Sequence, residues 1–338
     1  QTAVNALNQV DASGIDLELA MDALRDEFAQ QEVLKLIQTN LLANVSMMSS
    51  SEIIDTVAAI PLEVESSLQT RGVILDQSQI PVFQKEEELS STFINTGISN
   101  RWDSEFRGIA RQEVILLGGR RGSGKSVVCT NFVASQYKQR KIAPYYTIEM
   151  TGRETLLRIL AVLAEVDALG VKNGTLVGDE LLKLARTRAE MFKGGVKTFE
   201  QYIQGKEDMQ FADFADLDEI LRKHHEIDHP LIIVDDADLR LATIDVSLAK
   251  FKAIYGDDLT MGVVDYLNEV KLEGKTDPYD WVYQKEVATG LKSLARKHDV
   301  AILAPYQIGE NGEARFSKSI LDPVDMAFIL GACKRTNT

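Results

Sequence analysis

The residues best suited to chemistry are the run Gly119-Arg-Arg-Gly-Ser-Gly124-Lys125-Ser126, a full match to the pattern G-x-x-x-x-G-K-[ST]. It follows the apolar run Val114–Leu117 and precedes a helical stretch, the strand–loop–helix setting in which such a loop can work. Gly119, Gly122 and Gly124 let backbone N–H groups close around phosphate oxygens, with Ser123 and Val127 flanking the cradle, and the start of the next helix adds positive potential. Lys125 has the reach for β- and γ-phosphates, and the Ser126 hydroxyl can hold Mg2+. The chemistry expected is binding of a nucleoside triphosphate, ATP, together with magnesium.

Hydrolysis asks for two carboxylates more, one supporting the metal shell and one orienting the attacking water. Two apolar runs close on an acid in the form a metal-supporting strand takes, Leu231-Ile-Ile-Val-Asp235-Asp236 and Met261-Gly-Val-Val-Asp265-Tyr266. Pattern alone does not choose between Asp235 and Asp265. A third acid, Glu149, closes the run Tyr145-Tyr-Thr-Ile-Glu149 directly after the phosphate-loop helix. It is the candidate for the water-orienting role.

These side chains need a frame. Strand-like runs at 113–117, 145–148, 231–234, 261–264, 300–304 and 326–330 alternate with helical stretches, which predicts an α/β domain with a mostly parallel central sheet. The predicted organisation is a helical N-terminal region over 1–70, a linker over 71–111 and the main domain over 112–338. Leu17, Met21, Leu24 and Phe28 recur at helical steps, continued by Val33, Leu36 and Ile37. A second helix is predicted from Ser49, with Glu52 completing a capping box and Pro61 kinking the apolar stripe from Ile53 to Leu68. This region reads as a small helical subdomain or as an arm docking on a neighbouring subunit.

Of the 338 residues, 45% are hydrophobic and 26% charged, ordinary for a globular domain, and no run of 18 apolar residues predicts a membrane span. Cys129 and Cys333 are too few for a disulfide framework or a zinc site, which favours a reducing cytoplasm. The net charge of −14 excludes a protein that coats DNA by bulk attraction, though a local channel of Lys and Arg suffices for a motor.

Several motifs, in order, resemble the DnaB-type hexameric replicative DNA helicases, whose motor is a RecA-like ATPase. Tyr146-Thr-Ile-Glu149-Met150 followed by Arg158 resembles the family's second motif, and Val264-Asp265-Tyr266-Leu267 its metal-binding strand. Ala304-Pro-Tyr-Gln307 resembles its sensor strand, the helix predicted over 282–297 the one between those two, and 320–330 its acidic turn and last apolar strand. The resemblance spans roughly Gly97 to Leu330. It implies that Asp265, rather than Asp235, supports the metal, that Glu149 polarises the attacking water, and that Gln307 senses the γ-phosphate. It places Arg158 near the nucleotide base.

The same resemblance implies a ring, a hexamer, around single-stranded DNA, with loops 268–276 and 309–319 lining the channel. Lys271, Lys275, Arg315 and Lys318 would then grip phosphates without reading sequence. A basic finger supplied to the neighbouring subunit falls on Arg335, which lies closer to the last apolar run than the family's spacing suggests. A primase and a helicase loader are the implied partners, and the cytoplasm of a bacterium, or of a host if the chain is phage-encoded, the implied location. There is no room for the globular N-terminal domain of bacterial members, which points to a divergent or phage-type version. The competing readings are a RecA-like recombinase or ring ATPase that does not unwind DNA, and a nucleotide-gated loader or adaptor; a small-molecule kinase lacks its Arg-rich lid.

Overall fold

The computed structural model describes residues 30–45, 48, 53, 56–57, 60, 85, 92–105, 107–272, 281–308 and 318–331, with backbone alone at 281, 318 and 319. The chain divides into two compact units, 1–83 and 84–338. In the first, residues 30–36 are helical and run into a π-helical turn over Ile37–Leu42. The expected capping box at Ser49 and Glu52 and the kink at Pro61 lie outside the described residues.

The second unit opens with a two-stranded antiparallel ribbon, β1 (Phe93–Ile94) and β2 (Ile109–Ala110), around the short helix α1 (Asn100–Glu105). This stretch falls in the span read from the sequence as a linker. Its Ile94 and Ile109 are buried in the main core, so the ribbon itself packs onto the domain. Too few apolar positions separate the two short strands for periodicity to reveal them.

Each of the six expected strands is present: β3 (Val114–Gly119), β4 (Tyr145–Thr147), β5 (Ile233–Asp235), β6 (Met261–Asp265), β7 (Ala301–Gln307) and β8 (Met326–Leu330). They form one sheet in the order β5-β4-β6-β7-β3-β8, and every neighbouring pair is parallel. All six residues of β3 are buried, which explains its unbroken apolar run: both faces of a parallel sheet are covered. On one face Ile115, Leu117, Tyr145, Val263 and Leu303 pack with Phe132 of α2 (Lys125–Lys138) and Ile159 of α3 (Gly152–Ala164). On the other, Leu116, Tyr146, Val264 and Ile302 pack with Ile244 and Leu248 of α8 (Leu241–Tyr255) and Val287 and Leu291 of α9 (Trp281–His298).

Between β4 and β5 the chain builds a separate helical cluster: α4 (Ala168–Asn173), α5 (Gly178–Glu190), α6 (Gly195–Ile203) and α7 (Ala215–His224). Leu181, Leu184, Phe199, Phe214, Leu217 and Leu221 form its core against Leu160 of α3. Among the described residues no helix is long and apolar enough to cross a membrane.

Candidate functional site

In a parallel sheet every strand delivers its C-terminal residue to the same edge, where ligands bind beside helix starts. Here that edge carries Gly119 from β3, Gln307 from β7, Asp265 from β6 and, just past β4, Glu149. The sequence-predicted residues 119–127, 149, 265 and 307 therefore share one rim.

The loop after β3 is shaped by two glycines above all. A Cβ on Gly119 would sit 2.3 Å from Ser123 Oγ, and Gly124, at φ 90°, occupies the left-handed region as N-cap of α2. Among the described residues no side chain caps that helix, so its first N–H groups can serve an anion. Ser123 N–H donates to Arg120 O at 3.1 Å and closes the loop, while Ser123 Oγ is buried without a hydrogen-bond partner among the described residues. Uncapped N–H groups and an orphaned hydroxyl beside an ammonium fit an anionic ligand such as a triphosphate. Lys125 Nζ rests on the loop's own carbonyls, donating to Gly119 O at 2.8 Å and Arg120 O at 3.0 Å. Burial lowers its pKa, against the opposing pull of the negative charges of Asp265 and Glu149.

Asp265 is the buried acid of this edge, 6% exposed. In register it faces Thr147 across β4, and its Oδ2 accepts a hydrogen bond from Tyr145 at 2.5 Å. The Asp265–Tyr266 peptide bond is cis. Glu149 is exposed on the bend after β4, a bend closed by Thr147 Oγ1 donating to Met150 O at 2.7 Å. Both acids act electrostatically on Lys125. Among the described residues no group of three His, Cys, Asp or Glu side chains could by itself hold a metal ion. A hard cation here would rest on Ser126, Asp265, water and phosphate oxygens, the way Mg2+ is usually held.

Gln307 lies directly beside Gly119 in the β3–β7 register, and Ile308 N–H donates to Gly119 O at 3.3 Å. The sensor candidate thus adjoins the first residue of the phosphate loop. Its backbone N–H donates to Asn268 Oδ1 at 3.1 Å, and Asn268 Nδ2 donates to Gln284 Oε1 of α9 at 2.9 Å. This buried amide chain joins the turn after β6 to the end of β7. Sequence reading missed it, because the three residues are far apart in the chain and Asn268 and Gln284 each adjoin a charged residue.

Asp235 is elsewhere in role. Its Oδ2 accepts the Gly152 N–H at 2.6 Å, capping α3 together with the Thr151–Glu154 capping box. Arg158, on α3, borders a cavity of about 280 Å3 with Val127, Thr130 and Leu169, adjoining the first turn of the phosphate-loop helix. Lys271 is paired with Asp238 and its hydrogen bond holds that carboxyl below the usual range, so the ammonium is already engaged. Lys275, Arg315 and Arg335 lie outside the described residues, as does the side chain of Lys318.

The family model described as the DnaB-like helicase C terminal domain matches residues 94–321. The probable replicative DNA helicase of Trieres chinensis is 22% identical over 315 residues, covering 89% of this chain and 60% of that protein. The replicative DNA helicase DnaB of Helicobacter pylori is 22% identical over 318 residues, 91% of this chain and 57% of that protein. The chain thus spans about three-fifths of the length of these curated relatives. Among solved structures, a DnaB-like replicative helicase described with its interactions with primase aligns at TM-score 0.56 and 15% identity, over 94% of this chain and 70% of that one. A second solved structure, described as an ATPase domain, aligns at TM-score 0.53 and 16% identity over 83% of each chain. At those identities the solved structures speak for the fold alone, the parallel α/β sheet described above.

Proposed function

Since the chain belongs to the family of the DnaB-like helicase C-terminal domain, we propose that it is the ATP-hydrolysing motor of a replicative DNA helicase, moving along single-stranded DNA as a hexameric ring. The observation that carries this reading is the convergence of the phosphate loop, Asp265, Glu149 and Gln307 on one sheet edge around Lys125. Bound Mg-ATP would supply the scissile phosphoanhydride and the charge that binding neutralises.

The chain's own residues divide the work. Loop N–H groups over 119–127 hold phosphates, and Lys125 exchanges its carbonyl partners for phosphate oxygens. Ser126 and Asp265 support the magnesium, the hydroxyl as ligand and the carboxylate through its shell. Glu149, exposed on its bend, orients the attacking water and accepts its proton. Gln307 reports the γ-phosphate through β7 and, by way of Asn268, to the turn that leads into the loop after β6. Arg158 serves the base, and Arg335 reaches the site of a neighbouring copy. Lys271, Lys275, Arg315 and Lys318 line the DNA channel, Lys271 after leaving Asp238. A primase and a loader are the partners this reading brings with it, and the cytoplasm its compartment.

The deciding experiment is ATP hydrolysis by the purified chain with and without single-stranded DNA, beside Glu149→Gln. DNA should stimulate turnover, and the variant should lose about a hundredfold or more while still binding ATP. Turnover indifferent to DNA would favour a loader or adaptor. Stimulated turnover without strand displacement on a forked substrate would favour a recombinase.

A further inference from the structure

We propose that Tyr145 is a positioning residue for the metal-shell acid: from within the core beneath the site its phenol fixes Asp265 Oδ2, leaving Oδ1 to serve the magnesium shell. This rests on the nucleotide reading above.

The burial of Tyr145 is complete, at 0% exposure, and its partners in the strand register, Ile233 and Val263, are aliphatic. A hydroxyl in such surroundings is costly unless it finds a partner. Strand register supplies one. Tyr145 faces Val263 and Thr147 faces Asp265, so Tyr145 and Asp265 lie diagonally across β4 and β6 on the same face of the sheet. That diagonal separation is within reach of an aromatic side chain. The result is the 2.5 Å donation to Asp265 Oδ2.

A donor to a carboxylate from a side chain packed on every side does more than satisfy itself. It selects one orientation of the acid, in a site where the acid is also buried, and so supplies in advance the ordering that a metal ion would otherwise have to impose. Residues outside a metal's ligand shell are set to this task when they hold a ligand's second polar atom. The adjacent Tyr146 provides a contrast within the same strand: equally buried, it points to the opposite face and its hydroxyl pairs with Ser247 Oγ at 2.7 Å, away from the acid. Two neighbouring tyrosines of equal burial thus differ in whether they touch the site.

The test compares Tyr145→Phe with Tyr146→Phe in the full chain. Mn2+ binding in the presence of ADP is followed by electron paramagnetic resonance, which involves no turnover, and urea unfolding is measured in parallel. Tyr145→Phe should weaken Mn2+ binding on the order of tenfold, with metal-free ADP binding unchanged. Tyr146→Phe should leave Mn2+ binding as in the wild type. In an Asp265→Asn background Tyr145→Phe should weaken it no further. Equal Mn2+ affinity in wild type and Tyr145→Phe, or an equal loss in both tyrosine variants, would overturn the assignment while the nucleotide reading stands. A wild-type protein that holds no Mn2+ with ADP would remove that reading and this assignment together.

Discussion

Asp265 and Asp235 each close an apolar strand, β6 and β5, on the same edge of the same sheet. Asp265 sits in the interior of the strand order, with only β7 between it and the phosphate-loop strand β3, and both faces around it are roofed by helices. It is buried, held by Tyr145 and felt by Lys125. Asp235 ends the edge strand, is exposed, and uses its Oδ2 to cap the first turn of α3, where a negative charge also suits the helix dipole. Similar local sequences thus reach different surroundings because the order of strands, set by long-range pairing, decides which acid lies near the phosphate loop.

The largest effect that can break this contrast is on turnover. Asp265→Asn should lower ATP hydrolysis at saturating magnesium on the order of a hundredfold, whereas Asp235→Asn should leave it close to wild type. Steady-state hydrolysis of both variants under the same conditions settles the matter. Comparable losses would mean that the edge acid shares the metal's work and that strand order does not divide the two roles.

Much of this arrangement was legible beforehand, and the reason is physical. The phosphate loop is a local solution, in which glycines, a lysine and a serine at fixed spacing shape their own backbone, so Gly119 to Ser126 could be read directly. Strands β3, β4, β6 and β7 were legible because burial on both faces leaves continuous apolar runs, while β5 and β8, at the two ends of the strand order, keep apolar runs although they are more exposed. The choice between Asp235 and Asp265 was not contained in either run and came only with the family resemblance; what distinguishes the two acids in the structure, burial and strand order, is non-local. Tyr145 was hidden for the same cause. Nothing near it in the chain announces that its partner lies 120 residues on. The ribbon of β1 and β2 escaped because two-residue strands carry no periodicity, and the amide chain from Gln284 through Asn268 to Gln307 because it joins three separate elements.

A smaller effect sharpens the other side of the contrast. If Asp235 is a cap, its removal should cost stability and spare chemistry. Asp235→Ala should lower the free energy of unfolding by about 1 kcal/mol, read from the urea midpoint, because the Gly152 N–H loses its acceptor. Asp235→Asn keeps an acceptor oxygen and should recover most of that loss. An alanine variant as stable as the wild type would show that the Thr151–Glu154 capping box alone suffices for α3.

The smallest effect concerns a third aspartate, whose work is structural and linked to pH. Asp245 of α8 accepts from His298 Nε2 at 2.5 Å and from Lys297 Nζ at 3.2 Å, joining α8 to the end of α9. Burial pulls its carboxyl upward, but donation from His298 and the charge of Lys297 outweigh it, and the pKa settles below the ordinary value. A depressed carboxyl contributes stability that is complete above the unfolded-state pKa of about 4 and drains away as pH falls through the folded value. Wild-type stability should therefore decline on acidification below about pH 4 more steeply than that of Asp245→Asn, which starts lower at neutral pH and converges on it in acid. ATP turnover at neutral pH should be the same in both, since Asp245 has no part in the nucleotide edge. Parallel stability curves would show that the His298 contact carries no proton-linked stability, and a loss of turnover would show that the structural and catalytic acids are not as separate as Asp235 and Asp265 make them.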